Sequence, residues 1–141
     1  SRCNLEYVQL CGDESPDYWK DVTARVIKQI KIPVNLDQKE SIELINVSLD
    51  EITKSGAIPL LDRFEEGKLG GTGKTFNWNI LTEISKSYDF ILAGGLTGDN
   101  VGEAINISSP WCVDVSSGVE KNGHKDRELI IKFAQAVNKN N

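Results

Sequence analysis

The sequence predicts an α/β fold in which five parallel strands alternate with helices. Short apolar runs that stop at a glycine, a hydroxyl or a carboxylate recur along the chain, among them Tyr7 to Gly12, Ala57 to Asp62, Phe90 to Gly95 and Trp111 to Ser116. Between them lie polar stretches whose apolar residues return at helical spacing. The last two runs carry the same ending, a glycine and hydroxyl turn with a helix expected behind it. Strands and helices that alternate in this way build a parallel sheet in one domain spanning residues 1–141.

The first strand ends at Gly12, and Ser15 and Pro16 mark a helix start, with Ser15 as the N-cap and Pro16 at the first helical position. That helix is expected over residues 17–24. Arg25 to Ile32 suits a second strand, its polar residues Lys28, Gln29 and Lys31 turned to a barrel interior or mouth. From Pro33 to Ser55, the positions Ile42, Leu44, Ile45, Leu49 and Ile52 fit one helix, or two broken near Asn46 to Ser48.

The third strand closes on Asp62 and contains Pro59, an oddity because proline removes a ladder donor. A loop over residues 63–75 follows, including Gly70, Gly71, Thr72 and Gly73, and Asn77 can cap a helix running to Ser87. After the fourth strand a helix starts near Thr97, with Val101, Ala104 and Ile105 on one face. Past the fifth strand, Gly123 and His124 lie in a loop, and Asp126 caps a last helix with Leu129, Ile130, Phe133, Ala134 and Val137 as its buried stripe. Trp19, Trp78 and Trp111 read as packing residues, and the charged run from Lys121 to Arg127 as a solvated loop.

The two glycine turns are the strongest chemical signal. Glycines at a strand end let the backbone approach an anion closely, and the free N–H groups of the following helix point at it. Gly94 and Gly95 in the first turn, with Ser116, Ser117 and Gly118 in the second, are therefore expected to form one phosphate site, as such turns do after strands seven and eight of (β/α)8 barrels. The bland alternative is a glycine placed for sterics alone.

Composition excludes several classes. Net charge is −5, and basic residues are not clustered among aromatics, which argues against nucleic acid. No apolar run approaches the roughly 18 residues of a membrane span, so a cytoplasmic protein is expected. Cys3, Cys11 and Cys112 lack metal-ligand spacing, and His124 stands alone. No zinc site or disulfide framework is expected.

Five segments, taken together, resemble phosphoribosylanthranilate isomerase. They are Val8 to Glu14, Leu60-Leu61-Asp62, Gly70 to Gly73 with Phe76-Asn77-Trp78, Leu92 to Thr97 with Asn100-Val101, and Val113 to Glu120. The resemblance implies a (β/α)8 TIM barrel of tryptophan biosynthesis that converts N-(5-phosphoribosyl)anthranilate to the carboxyphenylamino-deoxyribulose phosphate by an Amadori rearrangement, without cofactor. It implies that Asp62 is the general acid and that Asp114 contacts the sugar. Phosphate would be bound by Gly94, Gly95, Ser116, Ser117 and Gly118, and the Gly71-Thr72-Gly73 loop would close over the substrate.

Aligned to that family, the chain corresponds to strands four to eight, a partial barrel lacking strands one to three. The family's general base, a cysteine in a Lys-x-Cys-Gly motif on strand one, and its carboxylate-binding arginine on strand two then have no counterpart here. Cys11 stands where the family more often has histidine, and reads more readily as a small space-filling residue than as a substitute base. Asp62 and Asp114 have their own bland readings, a strand-end capping aspartate and a buried structural hydrogen bonder. A raised pKa is expected for an acid at Asp62.

The alternative function is a non-catalytic partial barrel that binds phosphate, self-associates or pairs with a complementary N-terminal fragment through its exposed strand edges. Indole-3-glycerol-phosphate synthase is a more distant resemblance, since its lysine and glutamate catalysts are not found at suitable strand ends.

Overall fold

The computed structural model describes residues 4–33, 37–64 and 77–140. Five strands form one parallel sheet in sequential order: β1 (Tyr7–Leu10), β2 (Arg25–Pro33), β3 (Ile58–Phe64), β4 (Ile91–Leu92) and β5 (Cys112–Val113). Each neighbour in the chain is the neighbour in the sheet, the singly wound order of barrel folds. All C-terminal strand ends therefore share one edge.

Side-chain alternation splits the sheet into two faces. One face packs Val26, Ile30, Ile32, Leu61 and Leu92 against the helices in the main core. The other holds a smaller cluster of Leu60, Ile91 and Ala93, with Ile27 and Ile58 against it. Pro59 lies in a central strand, as the sequence suggested, and the β3–β4 ladder begins only at Leu60, one residue beyond it.

Helix α1 (Pro16–Lys20) is shorter than expected. Ser15 occupies the N-cap position in extended conformation, yet its hydroxyl makes no cap bond. The short helix is anchored by the Trp19 indole, which donates to the Glu14 carbonyl at 2.9 Å.

Helix α2 (Gln38–Lys54) is continuous, with no break near Asn46 to Ser48. The Asp37 carboxylate accepts from the Glu40 N–H at 2.8 Å and Glu40 accepts from the Asp37 N–H at 3.0 Å. This capping box satisfies two otherwise orphaned donors. Asn46 and Val47 face solvent, whereas Ile45 and Leu49 on either side are fully buried. Burial of each such aliphatic side chain contributes roughly 1.5–3 kcal/mol, enough to outweigh the weak helix propensity of the Asn-Val-Ser stretch.

A 3-10 turn (Trp78–Ile80), capped by Asn77, leads into the single turn α3 (Leu81–Ile84). Helix α4 (Val101–Ser108) begins later than Thr97, because residues 97–100 form a turn of their own. After β5 the chain makes a 3-10 turn (Ser117–Val119) and an antiparallel hairpin, β6 (Glu120–Lys121) with β7 (His124–Lys125), where the sequence suggested only a loop. Asn122 and Gly123 connect it, both at positive φ (52° and 77°), the twist that a two-residue hairpin turn requires.

Helix α5 (Arg127–Lys139) is capped by Asp126 as expected, with the carboxylate accepting from Glu128 and Leu129 N–H at 2.9 and 3.0 Å. Its buried stripe is narrower than the sequence suggested: Phe133 is buried, and Leu129, Ala136 and Val137 pack against the core, while Ile130 and Ala134 are exposed. Trp19 and Trp78 are buried, but Trp111 is 60% exposed beside the outer strand β5, so the packing reading fails for it.

Lys28 also departs from expectation. It points to the helix side of β2, not to the inner face, and is 7% exposed. Its ammonium is bonded to the Gly12 carbonyl and, at 2.7 Å, to the Glu14 carboxylate, and lies 5.8 Å from the Trp19 ring centroid. A buried ammonium needs such partners to offset its lost hydration. Lys28 thus ties the β1–α1 loop to β2.

Candidate active site at the C-terminal edge of the sheet

Register brings the chemistry together. Leu61, Leu92 and Val113 are aligned across β3, β4 and β5. The ladder continues one residue further through Ala93 N–H to Leu61 O and Asp114 N–H to Leu92 O, both 2.8 Å. Asp62, Ala93 and Asp114 therefore form the next row, and their side chains share the inner face with Leu60 and Ile91. Ala93 is the small residue between two carboxylates.

Asp62 is half-buried, and its Oδ2 accepts from the Gln29 amide at 2.6 Å. Burial pushes its pKa up; the Gln29 hydrogen bond opposes that shift, and the nearby negative charge of Asp114 adds to it. A carboxyl that resists ionisation is what a general acid requires. Asp114 itself is exposed, which removes its reading as a buried structural group.

The two turns meet at the same edge. Gly94 and Gly95 both have positive φ, 88° and 71°. The turn they begin is locked by Asn100, which donates to the Gly95 carbonyl at 3.0 Å and accepts from the Thr97 N–H at 2.8 Å. In the second turn a Cβ on Gly118 would fall on the Leu96 carbonyl oxygen, so the two turns are in backbone contact. The Ser117 and Gly118 N–H groups, at the start of a 3-10 turn, have no acceptor within it. The arrangement can hold an anion beside a carboxyl whose burial favours its protonated form.

Lys125 was not singled out by sequence reasoning. Far from being one charge of a solvated loop, it is brought back by the hairpin so that its Nζ donates to the Ser116 carbonyl at 2.9 Å, the Ser116 hydroxyl at 3.2 Å and Glu120 at 2.7 Å. No local pattern signalled this, because the contact depends on the hairpin closing.

Cys11 follows β1 on the inner face, two strands from Asp62, and is exposed, so it fills no core space. Its thiol accepts from Gln9 at 3.3 Å. Gly71, Thr72 and Gly73 lie outside the described residues. Among the described residues no group of three or more His, Cys, Asp or Glu side chains is placed to hold a metal ion, and no helix is long and apolar enough to cross a membrane.

Fold and edge define a class: barrel-type α/β proteins that gather an acid and two glycine turns at the C-terminal ends of parallel strands. The sequence model of N-(5'-phosphoribosyl)anthranilate (PRA) isomerase matches residues 1–136. The chain belongs to that family. It is 41% identical over 140 residues to the N-(5'-phosphoribosyl)anthranilate isomerase of Moorella thermoacetica, covering 99% of this chain and 59% of that protein.

Among solved structures it resembles phosphoribosyl anthranilate isomerase from Thermotoga maritima, with a TM-score of 0.78 and 29% identity over 96% of this chain and 62% of that one. It also resembles a phosphoribosyl anthranilate isomerase solved in complex with reduced 1-(o-carboxyphenylamino)-1-deoxyribulose 5-phosphate, with a TM-score of 0.72 and 27% identity over 96% of this chain and 60% of that one. The chain thus spans about 60% of the length of the relatives it matches.

Proposed function

We propose that this chain is part of a cytoplasmic phosphoribosylanthranilate isomerase of tryptophan biosynthesis, and that it carries the general acid and the phosphate site. Family membership supports the activity. The observation that carries the residue roles is Asp62: a carboxyl whose pKa burial pushes up, in the same row as Asp114 and against the Gly94 turn.

In this reading the substrate phosphate is held by the N–H groups of Gly94, Gly95, Ser117 and Gly118 and by the Ser116 and Ser117 hydroxyls. Asp114 meets the sugar hydroxyls, and the Gly71-Thr72-Gly73 segment covers the bound ligand. Asp62 gives its proton to the furanose ring oxygen as the C1–O bond breaks and the anilinic nitrogen lone pair forms a protonated imine. A base then takes the C2 proton, and the electron pair left behind makes the enolamine. A relative solved in complex with reduced 1-(o-carboxyphenylamino)-1-deoxyribulose 5-phosphate supports a product of this class.

The five strands are read as strands four to eight of an eight-stranded barrel. Their parallel, sequential order and the position of the phosphate turns after the last two support this. No Lys-x-Cys-Gly motif occurs in the 141 residues, so the base is assigned to the remainder of the barrel and not to Cys11.

An isomerase assay on the whole protein, following the loss of phosphoribosylanthranilate fluorescence, tests the acid. Asp62→Asn is expected to lower kcat by about 10²- to 10⁴-fold, the range for one acid–base group. Turnover near wild type in that variant would remove Asp62 from the chemistry.

A further inference from the structure

We propose that Gln29 is a positioning residue for the acid: it binds one oxygen of Asp62 so that the proton is carried on the other, Oδ1, facing the phosphate turn. The inference rests on the reading of Asp62 as the general acid.

Gln29 lies on the inner face of β2, level with Leu60, and its amide nitrogen reaches forward to Asp62 Oδ2 at 2.6 Å. An amide N–H can only donate, so Oδ2 accepts, and a carbonyl oxygen accepts better than a hydroxyl oxygen. The proton of the neutral acid is left to Oδ1. That atom lies 2.7 Å from the position a Cβ on residue 94 would take, and because residue 94 is glycine no side chain stands there. The reactive proton thereby faces the turn proposed to anchor the phosphate.

The same bond serves both ends of the proton transfer. Before it, Gln29 holds the carboxyl in a single orientation. As the proton leaves Oδ1 for the ring oxygen and the C1–O bond opens, the Asp62 carboxylate that forms keeps a donor on Oδ2. Among the described residues the other charged groups near this carboxyl are Asp114 after β5, Lys31 level with it on β2, and Arg63 on its own strand, whose backbone N–H also donates to it; β4 offers the uncharged Ala93.

Carbon-13 carboxyl titration of Asp62 in the whole protein tests this without turnover. Gln29→Met keeps the length and removes the donor, and is expected to move the Asp62 midpoint to higher pH. Gln29→Asn, whose amide is one methylene short, is expected to do the same and guards against a misfolded first variant. Asp114→Asn should move the midpoint down, showing that the probe responds to this environment. An Asp62 midpoint unchanged in a folded Gln29 variant overturns the proposal.

In the whole enzyme Gln29→Met is expected to lower kcat about tenfold with KM little changed, since orientation matters at the proton transfer. An unchanged kcat despite a shifted midpoint also overturns the positioning role. Failure of the acid reading is separate, because it appears as turnover surviving Asp62→Asn.

Discussion

Asp62 and Gly94 stand so close that no side chain can be added at position 94 while the acid keeps its place. A Cβ there would meet the Arg63 backbone nitrogen most closely, then the Arg63 Cβ and Asp62 Oδ1, each at 2.7 Å, on a backbone whose φ of 88° already disfavours any L side chain. Gly94→Ala is therefore expected to cost about 2–3 kcal/mol in urea unfolding, the sum of a clash and a strained φ. Gly123→Ala, with φ of 77° but nothing within 4 Å, should cost only about 1 kcal/mol. Equal losses would show that backbone strain alone, and not contact with Asp62 and Arg63, explains the glycine at 94.

Lys125 binds the carbonyl and hydroxyl of Ser116 from the far side of the hairpin, at 2.9 and 3.2 Å. Lys125→Met should loosen the second phosphate turn and remove a positive charge from its neighbourhood. Because the side chain is half exposed, the stability loss is expected to stay below about 1 kcal/mol. The affinity for inorganic phosphate, read by calorimetry, should fall about tenfold. Unaltered phosphate affinity would assign Lys125 to the hairpin alone.

Asp62 gives stability a distinctive pH dependence. Burial raises its folded pKa above the unfolded value, so the folded state binds the proton more tightly. Its contribution to stability is fully present below the unfolded pKa and is lost as pH rises through the folded one. Asp62→Asn should thus raise the melting temperature at neutral pH and leave it nearly unchanged in acid. Thermal scans from pH 3 to pH 8 would reveal this, and a melting temperature lowered by the variant across the whole range would contradict it.

Glu14 is expected to show the opposite profile. The hydrogen bond from Lys28 holds its carboxyl below the usual range. That contribution is present above the unfolded carboxylate pKa and is lost as pH falls through the depressed folded value. Glu14→Gln should therefore destabilise at neutral pH, with the difference closing in acid. The same scans check it, and a pH-independent difference would mean that the pair acts through packing alone.

Much of this architecture was readable in the chain. The five strands, the caps at Asn77 and Asp126 and the two glycine turns follow from local chemistry that needs no distant partner, although β3 runs past Asp62 to Phe64 and β4 and β5 stop at Leu92 and Val113, short of the expected Gly95 and Ser116. One local signal was present and missed: Asp37 followed three residues later by Glu40 is a capping-box pattern, and it explains the unbroken helix α2. Of the two alternatives, one helix or two broken near Asn46 to Ser48, burial of Ile45 and Leu49 on either side favours the single helix.

Other features had no local signal. Lys28 and Gln29 are adjacent and both polar, yet one enters the helix-side core and the other meets the acid. A parallel strand is covered on both faces, so alternation separates its side chains into two sets without saying which set faces which layer. Trp111 looks like a packing residue in sequence and is exposed because it lies beside the outer strand of this sheet.

The chain's own pattern located the five strands, the two glycine turns and the caps at Asn77 and Asp126, and the family resemblance singled out Asp62. The folded sheet alone decided that Gln29 reaches Asp62, that Leu96 lies against Gly118, and that Lys125 returns to Ser116. Turn chemistry and side-chain alternation are set within a few residues. The register between strands and the closure of the hairpin are set by ladders and packing across the sheet, which no local stretch of sequence contains.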